Sequence, residues 1–195
     1  MNIKEGIEKR FSARAFTSEV PSMEIIKEIL TTANSAPSGG NIQPWKVYVL
    51  NQDSKTKLAE QTLHNFDTGV QEEIEYDIYP KPLGDEYKRR RYECGADMYK
   101  ALSIEKEDLD SRFKQIRENY NFFGAPLGMI ITIDKSFGKN GWGHVGMFLE
   151  NLWLSAIHHG LSLCLQESWS IYPKTVKEAC LLYTSDAADD AHGVD

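Results

Sequence analysis

Residues 35–49, Ser-Ala-Pro-Ser-Gly-Gly-Asn-Ile-Gln-Pro-Trp-Lys-Val-Tyr-Val, decide how the chain is organised. The first ten of them, residues 35–44, are called the rim loop below; they hold two prolines and two adjacent glycines, which end any preceding helix. Trp45 and the alternating valines after it begin a strand. Asn41 and Gln43 are two positions apart, so on an extended backbone both amides point the same way. The stretch predicts a polar loop at the edge of a core strand.

Two interpretations of the rim loop follow from its local chemistry. Pro44 has no N–H group and moves the backbone of Gln43 out of the helical region. Side-chain amides and free backbone N–H groups in such a loop suit a flat, polar heterocycle. In the alternative, the loop only connects a helix to a strand, and its amides satisfy their own backbone. Both interpretations fit the local sequence.

Composition indicates one folded domain. The chain has 195 residues, of which 41% are hydrophobic and 26% are charged, values typical of globular proteins. The net charge of −7 argues against a general nucleic-acid binder. The basic run Lys88-Arg89-Arg90-Arg91 lies among acidic residues, which favours a solvated helix face over a phosphate track.

Cysteine usage and the N-terminus indicate the compartment. Cys94, Cys164 and Cys180 are widely spaced and form no C-x-x-C pair, which favours a reduced protein over a disulfide scaffold or a zinc site. The N-terminus lacks the apolar core of a signal peptide. No apolar run approaches the roughly 20 residues needed to cross a bilayer. We therefore expect a cytoplasmic protein without nucleic-acid or membrane partners.

A candidate phosphate site follows a short amphipathic helix predicted over residues 2–10. Arg10, Ser12 and Arg14 share one face of an extended segment. Two guanidinium groups beside a hydroxyl suit a phosphate monoester, which arginine binds through two hydrogen bonds. The alternative is a surface segment whose arginines pair with nearby acidic residues.

Hydrophobic periodicity predicts the other elements. A helix over residues 23–34, capped by Ser22, is expected to bury four side chains. These are Met23, Ile26, Leu30 and Ala33. Strands are predicted over 45–50, over 127–133 as a buried central strand, and from residue 161. Further helices are predicted after a cap at Asp53 or Ser54, and over 85–100, 107–121, 142–159 and 173–180.

Three further segments bear on function. The helix 142–159 has almost no polar face, which predicts a place in a core or an oligomer interface. The adjacent His158 and His159 at its end point about 100° apart, so they make a poor metal pair, and no metal site is predicted. Gln166 and Glu167 follow the strand predicted from residue 161, where sheets commonly present ligand-binding groups.

Four motifs occur in an order that is specific to a family. They are Arg10-x-Ser12-x-Arg14, the P-S-x-x-N-x-Q-P-W block of residues 37–45, Phe122-Phe123-Gly124-Ala125-Pro126, and Gly160-Leu161 followed by Gln166-Glu167. With these motifs the chain resembles the FMN-dependent nitroreductase family, especially the branch with a Gln-Glu pair after the core helix. The resemblance implies an α+β fold, a three-layer α/β/α sandwich with a mixed, mainly antiparallel sheet. It also implies a homodimer with active sites at the interface, where the helix 142–159 packs.

The resemblance also implies the residues that bind the cofactor. Arg10, Ser12 and Arg14 would hold the phosphate and ribityl end of FMN. Gln166 and Glu167 would approach the flavin ring near its reactive nitrogen. The residues that line the isoalloxazine, in this family often from the partner subunit, would be Pro37, Ser38, Gly39, Asn41 and Gln43.

The activity implied by the resemblance is electron transfer from NADPH or NADH, through FMN, to a nitroaromatic, quinone or similar acceptor by a ping-pong mechanism. Side chains do not carry hydride, so the cofactor is required, and no acid–base residue is expected. Alternatives on the same scaffold are dehalogenation, enone reduction and flavin fragmentation. A further alternative is a flavin-binding protein without catalytic activity.

The resemblance covers a single domain, residues 1–180, in which the tyrosine-rich segment 67–104 is a lid-like insertion that would shape acceptor preference or only a covering layer. Residues 181–195 are mostly small or acidic, lack periodicity and depart from the family. Family members continue there with another strand, a Gly-Tyr element and a basic phosphate contact. We therefore expect an unstructured tail, weaker folding and weaker FMN binding for this chain.

Overall fold

The computed structural model describes residues 2–181; residues 182–195, nearly all of the predicted tail, lie outside the described residues. The described chain forms two compact units. Unit 1 contains residues 2–55 and Gly124–Leu165, and unit 2 contains Thr56–Phe123 and the described residues from Gln166 on. None of the helices in the described chain is both long and apolar enough to span a membrane.

Unit 1 begins with two capped helices. α1 (Ile3–Lys9) starts with a reciprocal hydrogen-bond pair between the side chains and backbones of Asn2 and Glu5, a capping box. α2 (Met23–Ala33) starts at Ser22, which confirms the predicted cap.

The buried face of α2 is formed by Ile26, Ile29 and Ala33. The predicted burial of Met23 is wrong, because this residue lies in the first turn at the edge of that face and is 54% exposed. Leu30, also predicted to be buried, packs half-buried against the core.

The sheet of unit 1 consists of two antiparallel strands. β1 (Trp45–Leu50) has the predicted bounds and pairs along its whole length with β2 (Gly128–Ile133). The sequence predicts a central position for the second strand, but within the described residues β2 pairs with β1 alone. Its residues are accordingly only partly buried after Ile130.

The strand predicted from residue 161 is wrong for the described chain. Residues 161–167 have no regular structure. One backbone hydrogen bond, from Ala13 N to the Leu163 oxygen at 3.0 Å, joins this segment to residues 10–14. A strand requires successive pairs with a neighbour, and a single bond does not form such a ladder.

The core of unit 1 surrounds Trp45. α6 (Gly138–His158) packs against α2 and β1, and its Phe148 ring stacks on Trp45 with centroids 4.9 Å apart. The Trp45 indole N–H donates to the Asn34 side-chain oxygen at 2.8 Å, so the only polar atom of this buried side chain is paired. The same cluster contains Ile29, Ala33, Ala36, Leu152 and Ala156.

α6 begins earlier than the predicted residue 142 and lies close to β2. A Cβ atom at Gly141 would lie 2.2 Å from the Ile133 Cδ1 and 3.0 Å from the Phe137 Cβ. Only glycine permits this approach without displacing a neighbour. Gly160, with φ of 75°, follows the helix and confirms the predicted termination.

The other helices belong mainly to unit 2. They are α3 (Gln52–Thr68) from Thr56 on, α4 (Asp85–Ala101), α5 (Leu109–Arg117) and α7 (Pro173–Leu181). The predicted cap of α3 at Asp53 or Ser54 is wrong, because Asn51 accepts hydrogen bonds from the N–H and the hydroxyl of Ser54 at 2.8 and 2.6 Å. α4 and α7 confirm the predicted helices.

The basic run in α4 is paired with acidic residues on the helix surface. Arg89 donates to Glu93 at 2.8 Å, and Arg90 forms an ion pair with Glu86 at 2.5 Å. Both pairs are spaced by four residues and exposed, which matches the expected solvated helix face.

α5 is shorter than predicted because the chain turns into a 3₁₀ segment, Glu118–Gly124. Phe122 and Phe123 are both in the left-handed region, with φ of 51° and 52°. Their rings are buried, and Phe122 packs on Trp169 with centroids 4.4 Å apart. Close packing of this kind holds the backbone in a conformation that is otherwise unfavourable.

The core stack gives the first prediction. Replacing Phe148 with alanine should lower the free energy of unfolding by about 3–5 kcal/mol, since a fully buried ring is lost from a packed site. Met23→Ala is the control and should cost less than about 0.5 kcal/mol, because its side chain is exposed. Urea unfolding measures both. Equal losses would contradict the described core.

A second prediction concerns pH. The Arg117 Nε and Nη2 atoms each donate to Asp67 at 2.9 Å, and this contact lowers the pKa of the carboxyl. The pair therefore stabilises the fold above the usual Asp pKa, and this contribution is lost as the pH falls through the lowered value. Asp67→Asn should thus destabilise the protein more at pH 7 than at pH 3, measured by urea unfolding.

The control for this pH prediction is Asp97→Asn, at an exposed position of α4 with no ion pair to another described residue. It should show no such difference between the two pH values. An Asp67→Asn loss that is the same at both would show that the ion pair does not contribute.

Candidate functional site

The rim loop is a tight turn and not an extended segment. Gly39–Asn41 forms one 3₁₀ turn, and Gly40, Asn41 and Gln43 have φ values of 60°, 54° and 48°. The expectation of an extended backbone is therefore wrong. Pro44 does keep Gln43 out of the right-handed helical region, but the residue takes the left-handed region instead. Non-glycine residues rarely adopt this conformation, and such strained positions concentrate at ligand sites.

Some polar groups of the rim loop form hydrogen bonds within the loop or with Asn34. The Ser38 hydroxyl accepts from the Gln43 N–H at 2.9 Å, and the Gln43 side-chain amide donates to the Asn34 carbonyl at 3.0 Å. Within residues 2–181 the Asn41 amide has no hydrogen-bond partner, nor do the N–H groups of the two glycines. The loop thus combines both interpretations: it satisfies some of its own groups and presents others.

α6 supports the rim loop through His144. A Cβ atom at Gly39 would lie 3.5 Å from the imidazole Cε1, so the ring lies in contact distance of the loop backbone. The His144 Nδ1 is shielded from solvent and has no hydrogen-bond partner among the described residues. The sequence analysis did not identify His144. The signal that could have found it is an imidazole near the start of the apolar pattern of this helix.

Arg10 also rests on α6. Its guanidinium carbon lies 4.6 Å from the centroid of the Trp153 ring. No carboxylate of the described residues lies within 4.0 Å of the Arg10 guanidinium, so the alternative of pairing with an acidic residue does not hold for Arg10. Trp153 is a second supporting residue that the sequence analysis missed.

The remainder of the R-x-S-x-R segment is anchored at its centre. Ala13 is buried and donates its backbone N–H to Leu163. Ser12 is half-buried and Arg14 is exposed. Burial raises the pKa of the nearby Cys164 thiol, and the positive charge of Arg14 acts in the opposite direction. Arg14 therefore lies close to the segment that follows α6.

The rim loop and the arginine segment contact different parts of α6. His144 and Trp153 are nine residues apart, which corresponds to roughly 13–14 Å along the helix axis and to opposite sides of the helix. Unit 1 therefore holds the two predicted groups of ligand-binding residues beside one helix, next to side chains that point in opposite directions.

Gln166 and Glu167 belong to unit 2. The Gln166 amide donates to the backbone oxygen of Asn119 at 2.9 Å and to its side-chain oxygen at 3.2 Å. Glu167 is exposed, and its backbone oxygen accepts from the Ser170 N–H and hydroxyl at 3.0 and 2.7 Å. Asn119 is a third supporting residue without a local sequence signal, since it lies 47 residues from Gln166.

The start of the insertion 67–104 is attached to the same unit. The Glu72 carboxylate accepts from the backbone N–H groups of Lys174 and Thr175 at 2.6 and 3.2 Å, at the beginning of α7. Tyr76 hydrogen-bonds with Ser170 and Glu167, and burial raises the pKa of its hydroxyl. One member of the predicted Gln-Glu pair is thereby tied to the insertion.

Comparison with known proteins assigns the family. A model of the nitroreductase family matches residues 7–182, so the chain belongs to the nitroreductase family. It is 34% identical over 178 residues to a 4-nitrobenzoate reductase of Nocardioides sp. (strain LMS-CY), which covers 90% of this chain and 72% of the relative. It is 31% identical over 170 residues to a nitrobenzene nitroreductase of Ectopseudomonas oleovorans, covering 87% and 75% of the two chains.

Solved structures give the same result. The FMN and NADPH-dependent nitroreductase NfnB from sphigopyxis sp. strain HMH superposes with a TM-score of 0.88 at 32% identity, covering 92% of this chain and 81% of that one. An FMN-dependent nitroreductase NfnB from Mycobacterium smegmatis, in complex with NADPH, has a TM-score of 0.85 at 25% identity, covering 90% and 79%. The predicted family and the predicted α+β fold class are therefore confirmed.

The conformation of the rim loop gives a third prediction. Gly40→Ala should cost about 1 kcal/mol, because a Cβ atom is disfavoured in the left-handed region. Gly39→Ala is the matched control: its backbone is not left-handed, and the new methyl group would meet His144 at an ordinary 3.5 Å. It should change stability by less than about 0.5 kcal/mol. Chemical unfolding of both variants checks this, and the reverse order would contradict the turn.

Proposed function

We propose that the chain is an NAD(P)H-dependent FMN nitroreductase that reduces nitroaromatic compounds and accepts quinones or similar acceptors in the same site. The observation that carries this proposal is the similarity to an FMN and NADPH-dependent nitroreductase across 92% of the chain. The two sequence relatives that act on nitrobenzoate and nitrobenzene support the class of acceptor.

The donors of the arginine segment fit the phosphate end of FMN. The Arg10 guanidinium lies over the Trp153 ring and has no carboxylate partner among the described residues, so no acidic side chain of residues 2–181 occupies its N–H groups. The Ser12 hydroxyl has no partner within residues 2–181, and Arg14 adds a second cation. Two guanidinium groups and a hydroxyl are a suitable donor set for a phosphate monoester. We assign these three residues to the phosphate and ribityl end.

The rim loop fits the polar edge of a flavin ring. The Asn41 amide and the N–H groups of the two glycines are available donors, and the strained turn fixes their direction. We assign Pro37, Ser38, Gly39, Asn41 and Gln43 to the isoalloxazine. We assign Gln166 and Glu167 to the vicinity of the reactive ring nitrogen. Within unit 2, Gln166 donates to Asn119, and Glu167 hydrogen-bonds with Tyr76.

FMN, when bound, supplies a two-electron carrier between NADPH or NADH and the acceptor, which use the site in turn in a ping-pong mechanism. The side chains of the protein bind and orient the three ligands, and no side chain is assigned an acid–base role. We assign the insertion 67–104 the role of a lid that influences which acceptor enters.

The arrangement on α6 supports a homodimer. The rim loop and the arginine segment lie beside residues on opposite sides of this helix, so the two groups of donors do not face each other within one subunit. A second copy would bring the rim loop of one subunit to the arginine segment of the other. Exposed apolar side chains on α1 and α6 are available for such an interface. They include Ile3, Ile7, Trp142 and Met147.

The predicted domain and location are retained in the proposal. Residues 1–180 form one nitroreductase domain, in which both units take part. Cys94 and Cys164 are free thiols, which fits a reducing compartment. We therefore place the protein in the cytoplasm.

The test of the proposed function is the absorbance spectrum of the purified protein before and after anaerobic addition of NADPH. Flavin bands should be present, should bleach with NADPH, and should return on addition of 4-nitrobenzoate with consumption of the nitro compound. Bleaching without reoxidation by nitroaromatics would favour dehalogenation, enone reduction or flavin fragmentation. Bound flavin that does not bleach would indicate a non-catalytic flavin protein, and absence of flavin binding would overturn the proposal.

A further inference from the structure

The Arg10 side chain is held by an aromatic surface and not by an acidic partner. Its guanidinium lies 4.6 Å from the centre of the Trp153 ring. Trp153 is only 6% exposed and is fixed in α6 beside the core residues Leu152 and Ala156. A flexible, exposed arginine thus rests on a rigid, buried platform.

The backbone of Arg10 is fixed as well. Arg10 is the C-cap of α1, with extended φ and ψ of −64° and 123°, and its N–H donates to the Ile7 oxygen at 3.3 Å. α1 itself packs against α6. Both ends of the side chain are therefore positioned by the same pair of helices before any ligand arrives.

Contact with an aromatic ring leaves the N–H donors of a guanidinium available for an anion. When a guanidinium lies flat over an aromatic ring, the ring contact occupies one face of the planar group, and the N–H donors lie in the plane and point outward. A carboxylate partner would instead occupy those same donors and oppose an incoming anion. A stacked arginine thus keeps its full charge and its bidentate edge for a phosphate.

A cavity lies on the Trp153 side of the stack. Its volume is about 290 Å³, and its walls include Trp153 and the two neighbours of Arg10, Lys9 and Phe11. Lys9 adds a second positive charge to this side. The volume exceeds that of a phosphate group, and the surrounding charge favours an anion.

We propose that Trp153 is a positioning residue for the phosphate of FMN: its indole face holds the Arg10 guanidinium flat, with the N–H edge toward the phosphate. This inference rests on the proposed function. It adds a specificity role, since the platform would make the site select a phosphorylated flavin over riboflavin. An arginine ordered in advance loses less conformational freedom on binding, and this gain exists only when the phosphate is present.

The test compares FMN and riboflavin binding to the flavin-free full chain by fluorescence titration. Trp153→Leu should weaken FMN binding roughly 3- to 30-fold, the range expected for loss of a cation–π contact, and should leave riboflavin affinity within about two-fold. Trp153→Phe keeps an aromatic face and should retain most of the preference for FMN. Far-UV circular dichroism of each variant checks that the fold is intact.

A double-mutant cycle separates positioning from general packing. Arg10→Ala should abolish most of the preference for FMN, and adding Trp153→Leu to it should have little further effect. Arg10→Lys keeps the charge but not the planar edge and should lose much of the preference for FMN. Where Trp153→Leu folds poorly, Trp153→Phe replaces it in the cycle: its smaller loss of FMN preference should disappear in the Arg10→Ala background.

Each outcome has a distinct meaning. Equal losses of FMN and riboflavin affinity in Trp153→Leu, or additive effects in the cycle, would overturn the positioning role while leaving the proposed function intact. If the unaltered chain binds neither flavin, the proposed function fails, and the inference fails with it.

Discussion

The stack of Trp45 on Phe148 is the contact on which the rest of unit 1 depends. It fixes β1 against α6, and the indole N–H of Trp45 extends the contact to Asn34 at the end of α2. The carbonyl of the same asparagine accepts from Gln43 in the rim loop. Asn34 thus connects the core to the rim loop through two hydrogen bonds. The position of this polar, strained turn therefore depends on the apolar packing of the core.

Local signals allowed much of the fold to be predicted. The bounds of β1 and the cap at Ser22 could be predicted because their signals are local. The prolines and glycines of a turn and the hydroxyl of a capping residue act within a few residues. The strand expected from residue 161 was wrong, since a strand exists only through its neighbour. The exposed face of α5, with Leu109 outermost, shows that a short apolar pattern does not reveal whether another element covers it.

The sequence likewise identified only part of the candidate site. Motif spacing identified Arg10 and the rim loop, but the supports beneath them were not predictable. His144, Trp153 and Asn119 lie 47 to 143 residues from the groups beside which they are placed. Such contacts depend on how helices pack and not on neighbouring residues. The left-handed turn of the rim loop was not predicted either. The spacing of two between Asn41 and Gln43 places their amides on a common face only when the backbone is extended.

The carboxylate of Glu72 has a consequence for the order in which the chain is completed. It caps α7 from 102 residues away in the sequence, while α7 begins at a proline and has no capping side chain of its own described before it. During synthesis, Glu72 is in place long before its partners leave the ribosome. The last described helix therefore depends for its cap on a residue that is synthesised 102 positions earlier, and a short helix gains its stability mainly from such contacts with the rest of the fold.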